Sequence, residues 1–382
     1  MRPLGNVRVV DVTVSLAGPY CTQLLGALGA DVIKVERPGA GDETRAWGLG
    51  GESPLFMSAN ANKRSLALDL STDEGRDVAV RLADEADVFV QSLRPGLADR
   101  LGLGAAELRA RNRGLVYCSI GAFGHKGPLR QEPGYDPLMQ AAAGIMSVTG
   151  DEDGPPVRVG VSLVDQATAL WAALGILLAL GERDRTGEGS TVEVSLYEAA
   201  VSLMAYHVID YLRTCSIAGR HGTAFPLIAP YETFDTKDGT LMIAAGNDRL
   251  FARLCDALEL DELTRDPRFA TNPARVENRT ELKSLLEERL RNEPSEVWLA
   301  RLATARVPAG PINDVAQVAD SEQTRALGLL QSVDGLQLVA PPLSFDGERL
   351  VHSTAPPDLG AGAGAEEFLR ELGDGPRRPK SL

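Results

Sequence analysis

VRVVDVTVSLAGPYCTQLLGALGADVIKVE, residues 7–36, decides the fold class. Residues 7–13 are rich in β-branched side chains and read as a buried strand. A turn containing Gly18 and Pro19 leads into a helical stretch ending near Leu28, and GADVIKVE then reads as a second buried strand. A strand, a crossover helix and a strand imply a parallel sheet. The alternation continues with a strand at 65–70, a helix at 74–86, a strand at 87–93, a helix at 105–112 and a strand at 114–124 that runs into a Gly-containing loop. The expected fold is α/β, with a Rossmann-like large domain built on a parallel sheet.

At 382 residues the chain exceeds one ordinary compact core, so a second domain is expected. The pattern changes near residue 213: TFDTKDGTLMIAAG (233–246) reads as a hairpin turning at Lys237-Asp238-Gly239, and helical segments follow at 249–260 and 280–305. The reading is therefore a first part of the large domain at 1–212, a linker at 213–224, and a smaller α+β domain at 225–312. Residues 313–382 are read as a return to the large domain, with a helix at 365–373 and a frayed tail at 374–382.

Charge narrows the function. With 39 Lys and Arg against 53 Asp and Glu, the net charge of −14 argues against nucleic acid and anionic membrane as partners. The longest uninterrupted apolar run, Ala169–Leu180, is shorter than a membrane span requires, and a cytoplasmic protein is expected. Four scattered cysteines and four histidines give neither a disulfide framework nor a metal site. TVSLAGPY in the first turn lacks the G-x-G-x-x-G of dinucleotide binding, although Glu36 stands where a ribose-binding carboxylate would. No G-x-S-x-G is present for a serine hydrolase elbow.

Basic residues gather around the strands instead. Arg37 and Arg45 flank one Pro-Gly turn, Lys63 and Arg64 stand just before a strand, and Arg94 and Arg100 flank another Pro-Gly turn. Singly, each pair reads as solvated turn charge; meeting at one sheet edge, the three would make a site for phosphates. VGVSLVDQATALWAALGILLAL (159–180) carries one carboxylate, Asp165, in an apolar setting. Asp165 reads either as the N-cap of the helix that follows or as a poorly solvated nucleophile or base.

Collinear blocks then give a resemblance. Residues 8–45, NANKRSLALDL (60–70), RPGLADRLGL (94–103), PGYDPLMQAAAGIMSVTG (133–150), Asp165, AGNDRLFARLCDALEL (245–260), DPRFATNPARVENRTEL (266–282) and VPAGPINDV (307–315) resemble the family III coenzyme A transferases. This is the formyl-CoA and carnitine CoA-transferase group, whose sister branch is the alpha-methylacyl-CoA racemases. The resemblance implies that Asp165, thirty residues after Tyr135, is the catalytic nucleophile. It implies acyl-CoA and carboxylic acid substrates, no tightly bound cofactor and no metal, and an interlocked homodimer. CoA contacts are implied at Val14, Ser15, Ala17, Arg37, Lys63, Arg64, Arg100 and Tyr135. The family's E-N-F-R-P-G is Gln91-Ser92-Leu93-Arg94-Pro95-Gly96 here, so Ser92 replaces an asparagine contact only in part. The four-glycine lid loop of some members has no counterpart. The racemase branch places a histidine where this chain has Tyr135, and tyrosine is a poor base for exchanging an alpha proton. A racemase and a catalytically silent CoA-binding protein remain the alternatives.

Overall fold

The computed structural model describes residues 2–48, 53–361, 364, 365 and 368–370, and the chain divides into two compact units. The larger comprises residues 1–145, 158–213 and 322–382; the smaller comprises 146–157 and 214–321. These boundaries differ from the sequence reading. The smaller unit also takes in 146–157, there is no separate linker at 213–224, and the chain returns at 322 rather than 313. The expected helix at 365–373 lies partly, and the frayed tail at 374–382 wholly, outside the described residues.

The larger unit begins β1 (Arg8–Val12), α1 (Ala17–Ala27), β2 (Asp31–Glu36), α2 (Pro54–Asn60), β3 (Lys63–Ala67), α3 (Asp73–Asp84) and β4 (Val88–Gln91). It continues with α4 (Leu97–Arg100), α5 (Ala105–Arg111), β5 (Val116–Gly121), α6 (Asp136–Ala142), α7 (Leu163–Thr186), β6 (Thr191–Ser195), α8 (Leu196–Leu203) and α9 (Ala205–Thr214). The six strands form one sheet in the order β3-β2-β1-β4-β5-β6, and every neighbouring pair is parallel. The α/β expectation holds.

Strand composition explains the burial. Alternate residues Val10, Val12, Ile33, Val35 and Phe89 enter a core on one face shared with Val78, Leu82 and Leu108 from the helices and Leu103 from the link between α4 and α5. On the other, α1 packs against α7 and buries ten of its eleven residues, which is why the CTQLLGA segment shows no polar stripe. Gly175 lets α7 approach the sheet, since a Cβ there would fall 2.6 Å from Val192 Cγ1.

By length and composition α7, at 24 residues, is apolar enough to cross a membrane, contrary to the reading from the uninterrupted run alone. Counting only unbroken apolar residues missed Leu163–Thr168 at one end. In the fold, Ala169, Ala172, Ile176 and Leu180 are buried, while Leu170, Trp171, Leu174 and Leu178 are exposed.

The smaller unit pairs β7 (Tyr231–Asp235) with β8 (Thr240–Ala244), and β8 with β9 (Ala309–Pro311), all antiparallel. Helices α10 (Asp248–Leu258), α11 (Asn272–Glu277), α12 (Arg279–Leu290) and α13 (Ser295–Thr304) accompany this sheet. Pro294 separates the last two. Phe234, Leu254, Leu286 and the fully buried Trp298 share its separate core.

Candidate active site

The strand order reverses its growth between β1 and β4, and an α/β sheet binds ligands in the crevice outside the carboxyl ends of its strands at such a point. The loop after β1 and the loop after β4 meet there: Val14 donates its N–H to Ser92 Oγ at 3.2 Å. Ser15 has φ +70°, a left-handed conformation that costs a non-glycine residue about 1 kcal/mol or more. Its N–H donates to Asp42 Oδ1 at 3.3 Å. Ala17 is buried as the first residue of α1. Arg37 follows β2 and Arg100 ends α4 beyond the Pro95-Gly96 turn; both are exposed, as is Arg94, and none forms an ion pair among the described residues. These three guanidiniums are available to an anionic ligand.

The third basic pair is elsewhere. Lys63 and Arg64 open β3, level with Val32 and Ile33 near the amino end of β2, so they do not join the turns at the carboxyl edge. Arg64 is held by Asp31, which also takes Arg8, and its guanidinium stacks on Phe368. Lys63 has no side-chain exposure and donates to Asp11 Oδ2, Pro19 O and Asn60 Oδ1. Lys63 therefore cannot serve as a phosphate contact here, because its ammonium is committed to the core. A lysine next to a strand looks the same in sequence whether it leads outward or beneath the neighbouring loop.

The core charge around Lys63 is balanced. Asp11 and Asp42 are buried with Lys34 and Lys63, and Lys34 Nζ lies 2.9 Å from Asp42 Oδ2. Burial alone would raise the Asp11 carboxyl, but Lys63, Lys34 and the hydroxyls of Thr13 and Thr22 hold it far below the usual carboxylate range. Asp42 is lowered too, burial being overcome by Lys34 and the bonds from Thr44. Glu36 completes the group, accepting from Arg45, Ser65 Oγ and the Asp42 N–H.

Asp165 is the opposite case. At its far end α7 is anchored by Arg183 to Asp87, just before β4, so the 24-residue helix runs back along the strands and brings its first turn to the carboxyl-edge side. Asp165 is not the cap of that helix. It is the third helical residue, and the N-cap residue Ser162 makes no side-chain cap bond. Asp136 performs the capping from α6: its Oδ2 accepts the N–H groups of Val164 at 2.7 Å and Asp165 at 3.2 Å. Its Oδ1 accepts from Gln140 Nε2 at 2.5 Å, and Gln140 Oε1 in turn accepts the Val159 N–H. The Asp165 carboxylate has no hydrogen-bond or ion-pair partner among the described residues. Burial, and then the neighbouring Asp136 charge, push it up to about 7.

Tyr135 precedes Asp136, is half exposed, and donates its hydroxyl to Glu43 at 3.2 Å. Burial and then Glu43 raise its phenol above the ordinary value. Glu43 lies in the loop after β2, so this bond links the Gly-Tyr-Asp segment to the crevice. Sequence reasoning missed Asp136, Gln140 and Glu43. Asp136 and Gln140 stand four apart on one helix face, a spacing visible in sequence, but their use by a helix that starts 27 residues later is not.

Exposed arginines in the loops after β2 and β4 that form no ion pair among the described residues, together with an unpartnered carboxylate whose pKa is raised to about 7, suit an α/β protein to covalent or acid–base chemistry on a phosphorylated ligand. The chain belongs to CoA-transferase family III, whose description it matches over residues 4–363, and it is an enzyme of that family. It is 40% identical over 368 residues to succinyl-CoA:glutarate CoA-transferase of Mus musculus, covering 94% of this chain and 84% of that one. Acetyl-CoA:oxalate CoA-transferase of Acetobacter aceti is 38% identical, with 90% of each chain covered. Among solved structures, a CAIB/BAIF family protein from Brucella suis superposes with a TM-score of 0.86 at 40% identity, covering 97% of this chain and 99% of that one.

Proposed function

We propose that this enzyme moves coenzyme A from an acyl-CoA to a free carboxylic acid, with Asp165 as the nucleophile. The observation that carries this reading is the Asp165 carboxylate: partly buried, without a partner, and with a pKa raised to about 7. A carboxylate that water and hydrogen-bond donors do not stabilise attacks more readily than an exposed one. An Asp165 oxygen attacks the thioester carbonyl and expels CoA thiolate, leaving a mixed anhydride. The thiolate attacks the Asp165 carbonyl, which releases the donor acid and forms an aspartyl-CoA thioester. The acceptor carboxylate then attacks that thioester, regenerating an anhydride and thiolate. Attack of the thiolate on the acceptor's acyl carbon releases the new acyl-CoA and restores Asp165. No proton leaves carbon, so the tyrosine at position 135 is no handicap.

Acyl-CoA enters as substrate and no resident cofactor is invoked. The backbone of Val14 and Ser15, with Ser92, would face the ligand, and Arg37, Arg94 and Arg100 supply charge for its phosphates. Glutarate and oxalate in the names of the relatives are both dicarboxylic acids, which makes dicarboxylates the first acceptors to test. The assembly proposed is an interlocked homodimer. The exposed stripe of Leu170, Trp171, Leu174 and Leu178 on α7, and α9 with no buried residue, favour a partner copy. Leu174→Glu should shift sedimentation toward the monomer; an unchanged dimer would remove the stripe from the interface.

The chemical test is intact-protein mass after incubation with a panel of acyl-CoAs, followed by hydroxylamine. A hydroxylamine-sensitive adduct on the native chain, absent from Asp165→Ala, is expected. CoA binding without an adduct from any donor would overturn the covalent route.

A further inference from the structure

Ser15 is a non-glycine residue held at φ +70°, and such a conformation persists only where its surroundings over-determine it. Asp11 Oδ1 takes the N–H and hydroxyl of Thr13 and Ser92 takes the Val14 N–H, and beside them one buried ion pair reaches both ends of the turn. Lys34 Nζ donates to the carbonyl of Thr13, at the start of the turn, at 2.9 Å, and pairs with Asp42 Oδ2 at 2.9 Å, both side chains having no exposure. Asp42 Oδ1 accepts the Ser15 N–H at the end of the turn, as well as the N–H and hydroxyl of Thr44. One pair thus grips the turn before and after Val14 and joins it to the loop that carries Glu43. A fully buried lysine is an expensive way to fill space, since apolar residues of similar volume often hold a fold as well as a buried ion pair does.

We propose that Lys34 and Asp42 are positioning residues for acyl-CoA binding: they set the Val14–Ser15 turn in the conformation that receives the ligand. The inference rests on the reading of that turn as a CoA contact. It separates stability from affinity, because the pair acts on the turn and not on Asp165.

The experiment compares Lys34→Met and Lys34→Met/Asp42→Asn with the native enzyme by urea denaturation, CoA titration and steady-state kinetics. Lys34→Met strands the Asp42 charge, and the second substitution removes that charge while keeping an acceptor for Ser15. The expected result is a lowered urea midpoint in the single variant that recovers in the double one, whereas KM for acyl-CoA and Kd for CoA stay raised about tenfold in both, with kcat within about twofold. Affinity that returns together with stability would overturn the proposal, as would an unchanged KM in a destabilised single variant. If Lys34→Met does not fold, the double variant alone decides, since a native KM there overturns the inference. Hydrogen exchange of the native protein with CoA tests the underlying reading separately. Protection over residues 13–18 supports it, and no protection there removes the contact itself, whatever the variants do.

Discussion

Two groups of wholly or partly buried carboxylates lie in one domain and behave in opposite ways. Beside β1 and β2, Asp11, Asp42 and Glu36 are matched by Lys34, Lys63 and Arg45, and all three acids are held ionised below their ordinary range. At the start of α7, the one charge that acts on Asp165 among the described residues is another carboxylate, Asp136, and with burial it raises the pKa to about 7. Burial is common to both. The sign of the nearest charge decides whether a buried acid becomes a structural ion or a reactive one.

The contrast is most sharply tested at Asp165. Asp165→Asn should lower kcat by about a thousandfold or more, as removal of a covalent nucleophile does. Retention of a tenth of the activity would place the nucleophile elsewhere. On the other side, Lys63→Met should destabilise the protein by about 3–5 kcal/mol in denaturant titrations, because it leaves Asp11 buried without its ion. A loss below about 1 kcal/mol would mean that Lys34 alone suffices.

Stability should respond to Asp165 in the reverse direction. Its folded pKa lies above the ordinary value of about 3.9, so the folded state holds the extra proton between about pH 4 and 7. The native protein therefore loses stability as pH rises through that window, and the loss is complete above it. Asp165→Asn should be more stable than the native chain by about 2 kcal/mol at pH 8, roughly half the full linkage value for a group that keeps some solvent, and about equal near pH 4. Melting curves at the two pH values check this; equal stability at pH 8 would show that the carboxyl is not raised.

The smallest effect concerns Asp136. Activity of the native enzyme should rise through about pH 7 as Asp165 ionises. Asp136→Asn removes the like charge but retains an acceptor for the α7 N–H groups, and should move that acid limb down by about half a unit to one unit. An unmoved limb would assign the elevation to burial alone.

Much of this could be read from the chain. The repeat of β-branched strands and helical stretches from residue 7 to 124 determined a parallel α/β sheet, because side-chain periodicity and segment length are local properties. Spacing and resemblance singled out Asp165, and the turns carrying Arg37, Arg94 and Arg100 were legible from their Pro-Gly pairs. Tertiary structure alone decided which charges are available. Lys63 lies beneath the first loop and Arg64 at the amino end of its strand, so two cations that sequence grouped with the phosphate site belong to the core and the opposite edge. It also moved the cap of α7 from Asp165 to Asp136, across 29 residues. The physical reason is common to both: a chain pattern records which residues share a face, but burial, charge pairing and pKa depend on which faces meet.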